Sequence, residues 1–282
     1  MIADQKDFIT PHITDSHTLD YPCLHSGFVC EYELPRWNPI HIGSFSLDIS
    51  PTRHVVMLWI AAVLCIITTL LALRAHNRRT REGRAPGGFG NGLEALVLYL
   101  RNEVVLPNVG PHGNAFVPYL LSLFFFILFA NLLGLIPYGA TATGNISVTA
   151  TLAIVTFFVI EGAGIKAQGR AYVNTIVFWP HDMPLGMKLF ISPILTPIEI
   201  IGKLTKPFAL AIRLFANMIS GHVVLLALIS LIFTFATWIL VPLPVAMAIG
   251  ISILELFVAF LQAFIFMLLS SVFIGLIREG AH

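Results

Sequence analysis

Six residues in the C-terminal third of the chain have the types and spacing to handle protons: Glu199, Arg213, Asn217, His222, Glu255 and Gln262. Histidine and carboxylate side chains exchange protons near neutral pH once burial shifts them. Arginine does not, because its pKa exceeds about 12. A row of exchangeable groups interrupted by one fixed cation is not a continuous wire. It is two half-paths separated by a positive charge. The competing reading makes Arg213 a structural ion pair, with Glu255 as its obvious partner.

On a helical wheel at about 100° per residue, Glu199, Lys203, Lys206, Arg213 and Asn217 fall on one broad face. His222 lies nine residues after Arg213 and points to the opposite side. On the next helix, Glu255 and Gln262 are seven residues apart and share a face. If the two helices run antiparallel with Gln262 level with Arg213, then Glu255 is level with His222 to within about one turn. That register requires the first helix to stop near residue 230 and the connection to be long.

The chain of 282 residues is 57% hydrophobic and only 11% charged, with a mean hydropathy of +0.85. Soluble chains are about one quarter charged. Between Leu214 and Ile277 the only charged residue is Glu255. About 20 apolar residues cross a bilayer. The expected fold class is an all-α membrane protein with five transmembrane helices. The spans fall at about 55–74, 114–138, 146–166, 189–232 and 244–278, and the last two form a long hairpin joined near Val241–Val245. Residues 1–50 read as an external polar segment and 51–282 as the membrane domain. Leu93, Leu96, Val97, Leu100 and Val104 recur at helical spacing. They predict an interfacial amphipathic helix over about 91–106, opened after Gly92 and ended by Pro107. A short helix packed on other subunits fits the same stripe.

The segment Arg74–Arg84 carries five arginines against Glu82, and short basic loops stay in the cytoplasm. Residues 1–50 carry seven acids against Lys6 and Arg36. The N-terminus is therefore expected outside and the C-terminus in the cytoplasm. The loop with Lys166, Arg170 and Lys188 against Asp182 agrees. No secretory signal pattern opens the chain.

Near-equal basic and acidic counts give no reason to expect nucleic acid. Gly90-Asn-Gly92-Leu-Glu-Ala95 matches a loose dinucleotide pattern but follows a basic loop, not a strand. No phosphate-binding loop, zinc-protease or serine-hydrolase motif is present. Cys65 lies inside the first span. Cys23 and Cys30 lie outside, as a disulfide or as two thiols. His12, His17 and His25 are too irregularly spaced for a metal site, so no metal and no cofactor are expected.

Arg213-Leu-Phe-Ala-Asn-Met218, following Lys206-Pro207, and Leu261-Gln-Ala-Phe-Ile-Phe266 resemble subunit a of the F-type ATP synthase of bacteria. So do Asn131-Leu-Leu-Gly-Leu-Ile-Pro137 and Asn145-Ile-Ser-Val-Thr149, and the resemblance runs from about Ser50 to Arg278. It implies a non-catalytic, proton-conducting stator in the cell (inner) membrane. Its partners would be the ring of c subunits, the b-subunit peripheral stalk and, indirectly, the catalytic head. It implies a steeply tilted last hairpin curving round the ring. Arg213 would separate two half-channels. Asn217, His222, Glu255 and Gln262 would line the outer one, and Glu199 would serve the cytoplasmic one. Two departures stand out. Ala216 replaces a glycine common in the family. His222 and Glu255 reverse the acid-then-histidine order of many bacterial members. A self-contained transporter is the rival class, but no internal repeat supports it.

Overall fold

The computed structural model describes residues 14–23, 28–42, 45–48, 50–81, 88–111, 113–136, 139–169, 172, 185–235 and 241–279. His12, His25, Glu82, Arg84, Arg170 and Asp182, weighed above, lie outside these residues. So do the side chains of Cys23, Arg78, Arg79, Arg81 and Lys188.

The chain is an all-α membrane protein with a small β appendage. Among the described residues, five helices are long and apolar enough to cross a bilayer. They are α1 (Arg53–Arg81), α4 (Val117–Leu135), α5 (Ile146–Gln168), α6 (Leu185–Phe235) and α7 (Pro242–Glu279). Between α1 and α4 run α2 (Phe89–Tyr99), a π-helical turn over Leu100–Val105 and α3 (Leu106–Val109). Gly169, at φ 58, ends α5 in the left-handed conformation that side chains disfavour. Pro193, Pro197 and Pro207 sit inside α6, each removing one helical hydrogen bond.

Ahead of α1, β1 (Thr18–Cys23) pairs antiparallel with β2 (Phe28–Glu33), and β3 (Ile40–Ile42) with β4 (Phe45–Leu47). The sequence reading assigned no strands here. The alternation that marks them (Leu19 and Tyr21; Phe28, Cys30 and Tyr32) covers runs too short to rise above the polar background. Cys30 is disulfide-bonded, and Cys65 is a free thiol.

The chain packs as two compact units. The first comprises Met1–Ala75, Phe125–Asn145 and Leu214–Ala263; the second comprises His76–Phe124, Ile146–Arg213 and Phe264–His282.

In the first unit the appendage is tied to the start of α1. The Arg53 amide donates to the Ser16 carbonyl at 2.9 Å, and the His54 amide to Asp15 Oδ1 at 3.3 Å. The segment 139–145, after α4, is held by its polar side chains. Thr143 donates to Asn131 Oδ1 at 2.7 Å, and Asn131 Nδ2 donates to the Ala259 carbonyl of α7 at 3.2 Å. Asn131 is fully buried, so both ends of its amide must be partnered.

In the second unit the α2–α3 stretch packs on the end of α7. Leu100, Val104, Val105 and Val109 are buried. Arg278 donates to the carbonyls of Val109 and Pro111. A Cβ at Gly275 would overlap the Asn108 carbonyl. Pro107 does not end this helix, contrary to the sequence reading. The preceding π-turn changes the bonding frame before the missing N–H, and Asn108 Nδ2 donates to the Val104 carbonyl at 2.6 Å. The helical path then continues to Val109.

Candidate functional site

The hairpin of α6 and α7 holds all six expected residues. Thirteen residues separate His222 from the end of α6 at Phe235, and thirteen separate Pro242 from Glu255. The hairpin is therefore symmetrical about this pair. The long connection expected from sequence is not needed, because α6 continues past residue 230 to Phe235.

His222 Nδ1 lies 3.1 Å from Glu255 Oε1. His222 Nε2 lies 3.0 Å from the Gly134 carbonyl and 2.6 Å from Thr141 Oγ1. A carbonyl can only accept, so Nε2 carries a hydrogen. One proton then remains between Nδ1 and Oε1. The pair is either imidazolium with carboxylate or neutral imidazole with carboxylic acid, and both states keep every bond just named. Glu255 is 4% exposed. Its Oε2, like Gln262 Nε2, is buried with no hydrogen-bond partner among the described residues. Such orphan atoms are costly.

Two glycines make the room. A Cβ at Gly221 would stand 2.7 Å from Glu255 Cδ, and one at Gly134 would stand 2.9 Å from Thr141 Cβ. Further along the hairpin, Asn217 Nδ2 donates to Gln262 Oε1 at 3.0 Å. The buried stripe Glu255, Ala259, Gln262, Ala263 on α7 and Leu214, Met218 on α6 recurs at helical spacing.

Arg213 lies one turn before Asn217 on α6, exposed, and has no ion pair or hydrogen bond among the described residues. Glu255, the partner weighed for Arg213 from sequence, is bound through Oε1 to His222. Glu199 is half-buried. Lys203 and Lys206 do not share Arg213's surroundings. Lys203 Nζ lies 3.7 Å from Glu161 Oε2 on α5 and 4.7 Å from the Tyr172 ring centroid. Lys206 Nζ lies 5.2 Å from the Phe273 ring on α7. A broad face on a wheel does not say which neighbour each residue meets.

Sequence reasoning missed Thr141, Thr143 and Gly134 as partners of the polar residues, and Glu161 as the counter-charge of Lys203. The polar, uncharged segment 139–145 between two spans was the available signal for the first group. For Glu161, the signal was a carboxylate at mid-span.

Residues 55–275 match the family described as ATP synthase A chain. The chain is 46% identical over 265 residues to ATP synthase subunit a of Chloroherpeton thalassium, covering 94% of this chain and 74% of that protein. It is 45% identical over 278 residues to ATP synthase subunit a 2 of Chlorobaculum tepidum, covering 97% and 74%. It is 43% identical over 279 residues to ATP synthase subunit a of Anaeromyxobacter dehalogenans, covering 95% and 70%.

Proposed function

The chain belongs to the ATP synthase A chain family, and from that premise we propose that it is the proton-conducting stator of the enzyme's membrane sector, non-catalytic itself and set beside a ring of c subunits. The observation that carries this reading is Arg213, exposed on a helix of spanning length with no acid paired to it among the described residues. A mid-membrane arginine costs about 2.5–3.5 kcal/mol even on the lenient scale. Its counter-charge is best supplied from outside the chain, by a carboxylate on each passing ring subunit.

A proton enters from outside through the His222–Glu255 pair, which holds it on Nδ1 or Oε1 without breaking another bond. It passes the Asn217–Gln262 amides and neutralises a ring carboxylate. The neutral site can then enter lipid, which a bare carboxylate cannot. A site arriving from the cytoplasmic side meets Arg213, whose charge lowers a neighbouring carboxylate by about 1–3 pKa units and releases its proton. That proton leaves past Glu199. Arg213 cannot give up its own proton, so it blocks leakage from one half-path to the other. Each charge moved is worth about 2.3 kcal/mol per 100 mV. The b-subunit stalk would hold the stator against the catalytic head. The basic segment Arg74–Arg84 at the end of α1 and the acidic N-terminal segment support an outside N-terminus and a cytoplasmic C-terminus.

ATP-driven acidification of inverted vesicles tests the reading, comparing wild type with Arg213→Gln at matched assembly. Loss of pumping with ATP hydrolysis retained by the detached head is expected. Unchanged pumping would refute the mechanism.

A further inference from the structure

We propose that the acidic N-terminal segment gathers protons and that His54, paired with Asp15, delivers them to the segment 139–145 at the mouth of the outer half-path. The proposal rests on the stator reading above and adds a residue and a role to it.

His54 opens α1, away from the His222–Glu255 pair along the chain, and is buried at 5% exposure. Its Nδ1 lies 3.2 Å from Asp15 Oδ1 and 3.3 Å from Asn145 Nδ2. One of these neighbours accepts a hydrogen and the other donates one. Protonated, Nδ1 donates to Asp15; unprotonated, it accepts from the Asn145 amide. The atom therefore has a partner in both states, which suits a group that gains and loses a proton in place.

The other charges around it are few. Burial pushes the Asp15 carboxyl up, but its bonds from His54 and Thr52 and the His54 charge outweigh that and hold it below the ordinary 3.8. It thus stays ionised at any working pH. Arg53, on the same helix, reaches to the Gly139 carbonyl at 3.4 Å, and His17 contacts the Pro51 carbonyl. The segment 139–145 brings no charge. That same segment carries Asn145 against His54 and Thr141 against His222. Four residues span at most about 14 Å, or about five hydrogen-bond steps of ~2.8 Å.

The described part of the appendage carries Asp15, Asp20, Glu31, Glu33 and Asp48 against Arg36. Residues 1–50 hold seven acids against two basic residues, a net five negative charges with histidines neutral. A surface of one sign raises local counter-ion concentration and on-rate by about 10- to 1000-fold. For protons this matters where they are scarce, at high external pH.

The test uses the whole ATP synthase in proteoliposomes, with the outer face toward the lumen. ATP synthesis is followed at fixed membrane potential and fixed cytoplasmic-side pH while lumenal pH runs from 5.5 to 8. His54→Gln and Asp15→Asn are each expected to fall about tenfold below wild type at pH 8 and to come within about twofold at pH 5.5. Imidazole loaded into the lumen should restore His54→Gln. Profiles parallel to wild type, whether coincident with it or lower by one factor at every pH, would overturn the proposal and leave a purely structural latch. If His54→Gln does not assemble, the Asp15→Asn profile decides by the same criterion. Arg213→Gln, run alongside, separates the two claims, because its retained activity would defeat the stator reading itself.

Discussion

Replacing Gly221 by alanine tests the His222–Glu255 pair without touching either residue. The new Cβ would stand 2.7 Å from Glu255 Cδ and 2.9 Å from Cγ. Carbon atoms rest at about 3.5–4.0 Å, so the carboxyl must retreat by roughly 1 Å. The 3.1 Å bond to His222 Nδ1 then opens to about 4 Å, beyond hydrogen-bond reach. A bond to a charged group is worth about 1.5–3 kcal/mol, or about 10- to 150-fold in rate if it shapes proton uptake. The assay is ATP-driven quenching of a pH-sensitive dye in inverted vesicles, normalised to assembled complex. Gly162→Ala is the control, since a Cβ there meets nothing within 4 Å in the chain. Glu255→Asp in the Gly221→Ala background, shorter by one methylene, should recover part of the loss. Full-rate pumping by assembled Gly221→Ala would refute the claim that this contact holds the transferred proton.

Asn131→Ala removes the bond to the Ala259 carbonyl and leaves the Thr143 hydroxyl without its acceptor. It should destabilise the protein by about 1–3 kcal/mol, seen as a lower melting temperature in detergent. Lys203→Met leaves the partly buried Glu161 without its cation and should cost more than the double change Lys203→Met with Glu161→Met, since removing both charges is milder than removing one. A double-mutant cycle on thermal stability checks that. Asp15 is held below 3.8 in the fold, so its contribution is full above that value and lost as pH falls through the lower folded value. Protease protection of the appendage should stay flat from pH 7 to 5 and weaken only below about 3.8, while Asp15→Asn should weaken it at every pH.

The spans were legible because a bilayer-crossing helix needs only length and apolarity, and α1, α4, α5 and the α6–α7 hairpin have both. The polar residues of the hairpin were legible because each is expensive in such a setting. Their partners were not. Gly134 contributes a backbone carbonyl, which no side-chain pattern reveals. Thr141 and Thr143 look like ordinary loop residues until the segment 139–145 is folded against α4 and α6. The helix through Pro107 was misread because proline stops helices in general, whereas here a π-turn had already reset the hydrogen bonds. Lys203 was grouped with Arg213 by projection, but a projection carries no information on the neighbouring helix that supplies Glu161.

The symmetry of the hairpin bears on how the chain is made. During synthesis α6 emerges first, carrying Lys203, Lys206, Arg213 and His222, and on its own it is a poor candidate for release into lipid. Thirteen residues into α7 comes Glu255, which meets His222 across equal arms. One proton shared between them turns two expensive side chains into one neutral, hydrogen-bonded pair. The two helices are therefore best delivered to the bilayer together, and a ribosome paused before Glu255 would leave α6 waiting in the insertion machinery.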